Sequence, residues 1–196
     1  MHINAHFAIG IIIASLFNAI YDFNLLEFGL IVVCGFIMDF DVFFSKFAKD
    51  GNHRMLLSHS IIPGIILFII GMLFLWPALV ISGLAFIIHI VIDTLDWGTN
   101  FFGVHKKPFG PKLLISKEEF DNIDEVLTQY KIKKAFFDIR YYSKKIIIAI
   151  EISLFIFMIL TVFMFASEYF LWSLIYFPFL FFHLLVYFQM KKIEGK

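Results

Sequence analysis

Apolar residues fall in blocks long enough to cross a bilayer, and polar residues gather between them. A hydrocarbon core of about 30 Å needs about 20 apolar residues in a helix. Blocks near residues 4–20, 25–40, 60–76, 78–95, 146–166 and 169–190 predict six membrane helices. The block at 146–166 is broken only by Glu151, Ser153 and Thr161. Trp76-Pro77 and Glu168-Tyr169 predict tight turns, since proline breaks the helical ladder and aromatics suit the interface. The expected fold class is all-α, a polytopic membrane helical bundle.

The pattern shifts once, near residue 100. From Asn100 to Lys145 the chain turns polar and basic, with Pro108 and Pro111 in a stiff loop. Ser116 and Glu119 are spaced as a capping box. Phe120, Ile123, Leu127 and Tyr130 follow at helical spacing. This predicts an amphipathic helical segment, lying on the membrane or solvated as a linker. Three regions result: residues 1–99, the basic loop 100–145, and the C-terminal hairpin 146–196.

Six spans put both termini on one side, together with loops 41–59 and 96–145. Every Lys and Arg then falls on that side: Lys46, Lys49, Arg54, the cluster Lys106 to Lys145, and Lys191, Lys192 and Lys196. The opposite loops carry Asp22, Glu27 and Glu168. By the positive-inside rule the basic side is cytoplasmic, so a multi-pass cell-membrane protein with cytoplasmic termini is expected.

Composition agrees. The 196 residues are 61% hydrophobic and 16% charged, against about 45–50% and about 25% for soluble domains. So short a soluble chain could not hide that surface. A net charge of zero gives no sign of a nucleic-acid partner. The single cysteine, Cys34, excludes an internal disulfide and a CxxC site. The start, Met1 to His6, lacks the basic flank of a cleavable signal.

Ionisable groups inside a membrane are expensive and point to function. Here they share one depth, the cytoplasmic ends of four helices. His6 opens the first helix, Asp39 and Asp41 close the second, His53, Arg54 and His59 lead into the third, and His89 and Asp93 end the fourth. His89 and Asp93 are four apart, so they share a helix face. Imidazole and carboxylate together are a ligand set for zinc first, with manganese or iron as alternatives. Asp39 and Asp41 diverge if helical and align if extended. One would ligate, and the other would bridge a second ion or orient a histidine. Arg54 offers a fork suited to an anionic substrate group, or serves topology alone. Ser58 or Ser60 is a candidate N-cap for the third helix. His2 is expected to be solvated, His105 to lie in the basic loop with the option of closing over the site, and His183 to pack between helices.

Together these residues resemble the membrane-bound, metal-dependent hydrolases described as LexA-binding and inner-membrane-associated. That family runs N-terminal His, P-D-x-D, H-R-G-x-T-H-S, then H-x-x-x-D near the end of a membrane helix. This chain has His6, then Met38-Asp39-Phe40-Asp41, then His53-Arg54-Met55-Leu56-Leu57-Ser58-His59-Ser60, then His89 to Asp93. Met38 replaces the proline, Met55 the glycine and Ser58 the threonine, and one extra residue lies between Arg54 and His59. The resemblance covers about residues 1–100. It implies a kinship with zinc-dependent phospholipase C enzymes, and phosphoester or lipid chemistry.

The expected function is a membrane-embedded metal-dependent hydrolase with membrane lipids as partners. Its divalent metal, zinc first, would be held among His6, Asp39, Asp41, His53, His59, His89 and Asp93. Asp41 would act as base and Arg54 would bind the anion of a phospholipid or lipid-linked substrate. The alternative is a metal ion or proton transporter using the same layer; it predicts ionisable groups through the whole depth, which the far halves of the spans lack. A haem protein using His183 and a non-catalytic scaffold rank below these.

Overall fold

The structure, a computed structural model, describes residues 2–48, 51–105 and 107–195. Lys49, Lys106 and Lys196, counted above on the basic side, lie outside the described residues. The fold is all-α. Among the described residues the only β pairing is an isolated antiparallel bridge, Thr99 to Phe109.

α1 (Ile3–Tyr21) and α2 (Leu25–Phe36) form the first hairpin. Asn24 caps α2 with a capping box to Glu27, which starts the helix directly after the turn. α2 was expected to run to residue 40. It stops at Phe36 and continues as a 3₁₀ segment, Ile37–Phe47. Aspartates at a helix C-terminus oppose the dipole, which disfavours an α continuation through Asp39 and Asp41. α3 (Ile61–Leu73) is capped by Ser60, and α4 (Pro77–Asp96) begins with Pro77 in its first turn. Among the described residues, five segments are long and apolar enough to cross a membrane: Ile3–Tyr21, Leu25–Phe47, Pro77–Asp96, Lys145–Phe165 and Ser167–Glu194. The third expected span falls short, because α3 has only 13 residues.

The segment after residue 100 differs from expectation. The Ser116–Glu119 capping box is present, but its helix, α5 (Lys117–Asp121), breaks at Asn122 and is followed by α6 (Ile123–Thr128). Phe120, Ile123, Leu127 and Tyr130 therefore do not share one continuous helix. The longest helix here is α7 (Lys133–Ser143), which buries Phe136 and Tyr141. α8 (Lys145–Phe165) follows almost directly. The last span is broken into α9 (Phe170–Ser173) and α10 (Tyr176–Glu194). Pro178 explains the break, since its ring clashes with the carbonyl four residues earlier, at Leu174.

α1 is the central element. Its Phe7, Ile11 and Ile12 pack with Phe28, Ile31 and Val32 of α2, with Ala85 of α4 and with Met158 and Val162 of α8. Small residues bring the helices close. A Cβ on Gly35 of α2 would lie 2.8 Å from Gly10 Cα of α1. One on Gly83 of α4 would lie 2.6 Å from the Gly64 carbonyl of α3. A buried polar knot ties the C-terminal half to α1: Glu151 of α8 accepts from Asn4 and Tyr176, and from Tyr141 Oη at 2.5 Å. These hydrogen bonds form only when α1, α7, α8 and α10 meet.

Candidate metal centre

His6 lies one turn before Gly10, so the close α1–α2 crossing places it beside Gly35 and α4. His6 and His89 stack with ring centroids 3.8 Å apart. His6 Nε2 is 3.0 Å from Asp93 Oδ1. His89 Nδ1 is 2.9 Å from the Gly35 carbonyl oxygen, so in the neutral ring this nitrogen carries the proton and donates. Its Nε2 is then a buried lone pair with no hydrogen-bond partner. That lone pair stands 3.6 Å from Asp93 Oδ2 and 3.9 Å from Asp39 Oδ1. Asp39 Oδ2 is likewise buried without a partner. A lone pair and two carboxylates facing one another repel, and a cation among them removes the repulsion. Ligand atoms of His6, Asp39, His89 and Asp93 all lie within 4.8 Å of one another. These four fit a divalent cation. The backbone bond on His89 Nδ1 is the orienting contact metal-binding histidines make.

Asp41, His53 and His59 form a second group with the same spacing limit. Here the polar atoms are paired. Asp41 Oδ1 meets His53 Nδ1 at 2.7 Å, and Oδ2 meets His59 Nδ1 at 3.1 Å and accepts from Ser58 Oγ at 2.9 Å. His59 Nε2 reaches Asp93 Oδ2 at 2.8 Å, so one buried imidazole joins the two groups. Burial alone would lower its pKa, but Asp41 and Asp93 outweigh that and raise it to about 9. The 3₁₀ segment is what sends its two aspartates to different groups. At about 120° per residue, Asp39 and Asp41 lie about 120° apart around the axis.

All seven expected ligand residues are therefore brought together. Arg54, expected to face an anionic substrate, is placed differently. It is buried, and its fork is taken by Asp96: Nη1 donates to Oδ1 at 2.5 Å and Nη2 to Oδ2 at 3.2 Å. Nη2 also lies 3.2 Å from Asp93 Oδ1. Burial opposes its charge, yet Asp93 and Asp96 more than offset this and raise its pKa further. Asp96 was missed in the sequence, although it sits three residues after Asp93 on the same face. Thr99 and Asn100 were missed too. Thr99 Oγ1 donates to the His59 carbonyl and Asn100 Nδ2 to the Met55 carbonyl, fixing the 53–60 loop.

The other histidines belong to neither group. His105 stacks on Phe109. His2, expected in solvent, stacks on His183 at 4.2 Å and packs on Tyr141 and Tyr142. No protein family, curated protein or solved structure matches the chain.

Proposed function

We propose that this protein is a multi-pass membrane metallohydrolase that cleaves phosphoester or lipid-type substrates at the cytoplasmic face, with both termini in the cytoplasm because the short apolar α3 crosses as a sixth, minimal span beside the five longer ones. The reading rests on one observation: the buried, unpartnered His89 Nε2 faces the Asp39 and Asp93 carboxylates, with His6 alongside. The motif resemblance to the inner-membrane hydrolases and the one-sided placement of Lys and Arg support it.

His6, Asp39, His89 and Asp93 would hold one divalent ion, zinc first. Such an ion supplies Lewis acidity and a hydroxide-class nucleophile near neutral pH. Asp41 is the proton acceptor, and the half-buried His53 on its Oδ1 carries the proton away, while His59, charged between Asp41 and Asp93, holds Asp41 in place. Arg54 offsets the charge of Asp93 and Asp96 and holds the ends of the site together.

The test is elemental mass spectrometry on detergent-purified protein beside an assay of phosphoester and phospholipid hydrolysis. About one zinc-class ion per chain is expected, lost in His89→Ala and Asp93→Ala. His53→Ala should keep the ion and lose turnover. A content near two per chain would assign Asp41, His53 and His59 to ligation instead. No metal after supplementation would overturn the hydrolase reading in favour of a proton carrier.

A further inference from the structure

The two C-terminal spans do not close on each other. A cavity of about 410 Å³ lies between α8 and α10. That is within the range of about 300–1,000 Å³ for ligand pockets. Its walls are mostly apolar, with Ile148, Ile152 and Phe155 on one side and Phe177 and Leu184 on the other, and the Glu151 and Tyr176 that also line it are engaged in the knot with Asn4 and Tyr141. One end is different. Tyr142 and Tyr187 line it with ring centroids 5.2 Å apart. The Tyr142 hydroxyl is buried without a hydrogen-bond partner. The Lys191 ammonium stands over the Tyr187 ring, 5.7 Å from its centroid. Lys144, Lys145 and Lys192 belong to the same helix ends. The cavity is thus a greasy slot whose Tyr142–Tyr187 end carries an unused hydroxyl, with Lys191 over the Tyr187 ring.

We infer that the cleft between α8 and α10 seats one acyl chain of an anionic phospholipid, with its phosphate at Tyr142 and Lys191. The seat does not depend on the hydrolase reading. Bilayer chains are the only apolar material available in bulk at this depth. A slot left empty would forfeit the dispersion contacts of its walls. The phosphate gives the Tyr142 hydroxyl an acceptor and Lys191 a counter-charge. The seat adjoins the metal centre: Tyr142 packs on His2, and His2 precedes His6 by one turn of α1.

The test is native mass spectrometry of the delipidated full chain, titrated with dioleoylphosphatidylglycerol, dioleoylphosphatidylcholine or palmitate. Wild type should retain one phosphatidylglycerol per chain and prefer it to phosphatidylcholine. Ile152→Trp and Leu184→Trp fill the slot from opposite walls and should each weaken retention at least tenfold. Leu160→Trp, on an exposed part of α8 away from the slot, should not. Lys191→Gln should erase the preference between the two phospholipids. Equal retention by the filled variants overturns the proposal, as does palmitate displacing phosphatidylglycerol at equal concentration. Circular dichroism identifies a variant that fails to fold, and the other wall then decides. Metal content, read in the same samples, reports separately on the hydrolase reading.

Discussion

Arg54 is the residue whose role changed most between sequence and structure. Its sequence context, His-Arg before a histidine, reads as an anion holder. Its position reads as a buried clamp between Asp93 and Asp96. Removing one member of such a buried cluster costs about 3–5 kcal/mol, because the partner charges are left unpaired. Arg54→Met should therefore lower the melting temperature in detergent by several degrees and reduce bound metal. An anion holder alone would raise KM and leave the melt unchanged. Asp138 of α7 makes the opposite case. Burial lifts its carboxyl pKa above the ordinary 3.8, with Lys134 opposing, and Oδ2 has no partner. The folded state thus holds the proton more tightly than the unfolded state. The stability from that proton is full below about pH 3.8 and is lost as pH rises through the raised folded value. Asp138→Asn should stabilise at pH 7 and change little at pH 3.5, as read by paired thermal melts.

At the scale of elements, the α1–α2 crossing sets the site. Gly35 meets Gly10 through bare backbone, and its carbonyl fixes His89. A methyl at position 35 would lie 2.8 Å from Gly10 Cα and must push the helices apart. Gly35→Ala should weaken metal affinity about 10–100-fold, the usual cost of disturbing an orienting contact. Equilibrium dialysis against a zinc-buffered solution measures it, and unchanged affinity would remove the crossing from the account. The 3₁₀ segment 37–47 matters in the same way. In an α-helix Asp39 and Asp41 would lie about 160° apart instead of about 120°, and one of them would leave its group. Much of this level was legible in the sequence. The apolar blocks located the spans, and the i, i+4 spacing of His89 and Asp93 was correct because α-helix geometry fixes it. The 3₁₀ continuation was not legible, since the dipole penalty on Asp39 and Asp41 disfavours an α continuation without saying what replaces it. The break at Ile175 was signalled by Pro178, but the surrounding apolar run hid it.

For the molecule as a whole, the gathering of seven ionisable side chains into two adjoining groups was readable from their places at four helix ends, although five segments and not six are long enough to span. What sequence could not supply was partnership. Nothing in the spacing of Asn4, Tyr141, Glu151 and Tyr176 announces that they form one knot, because such contacts are decided by packing across up to 172 residues. The knot has a consequence for biosynthesis. All seven candidate ligands lie within the first 93 residues. A growing chain therefore carries every part of the centre before α8 is made. Asn4 must wait for Glu151, 147 residues later. Contacts of such long sequence separation form slowly. The candidate ligands are thus all encoded in the early chain, while the bonds that tie down Asn4, two residues before His6, become available only with the late one.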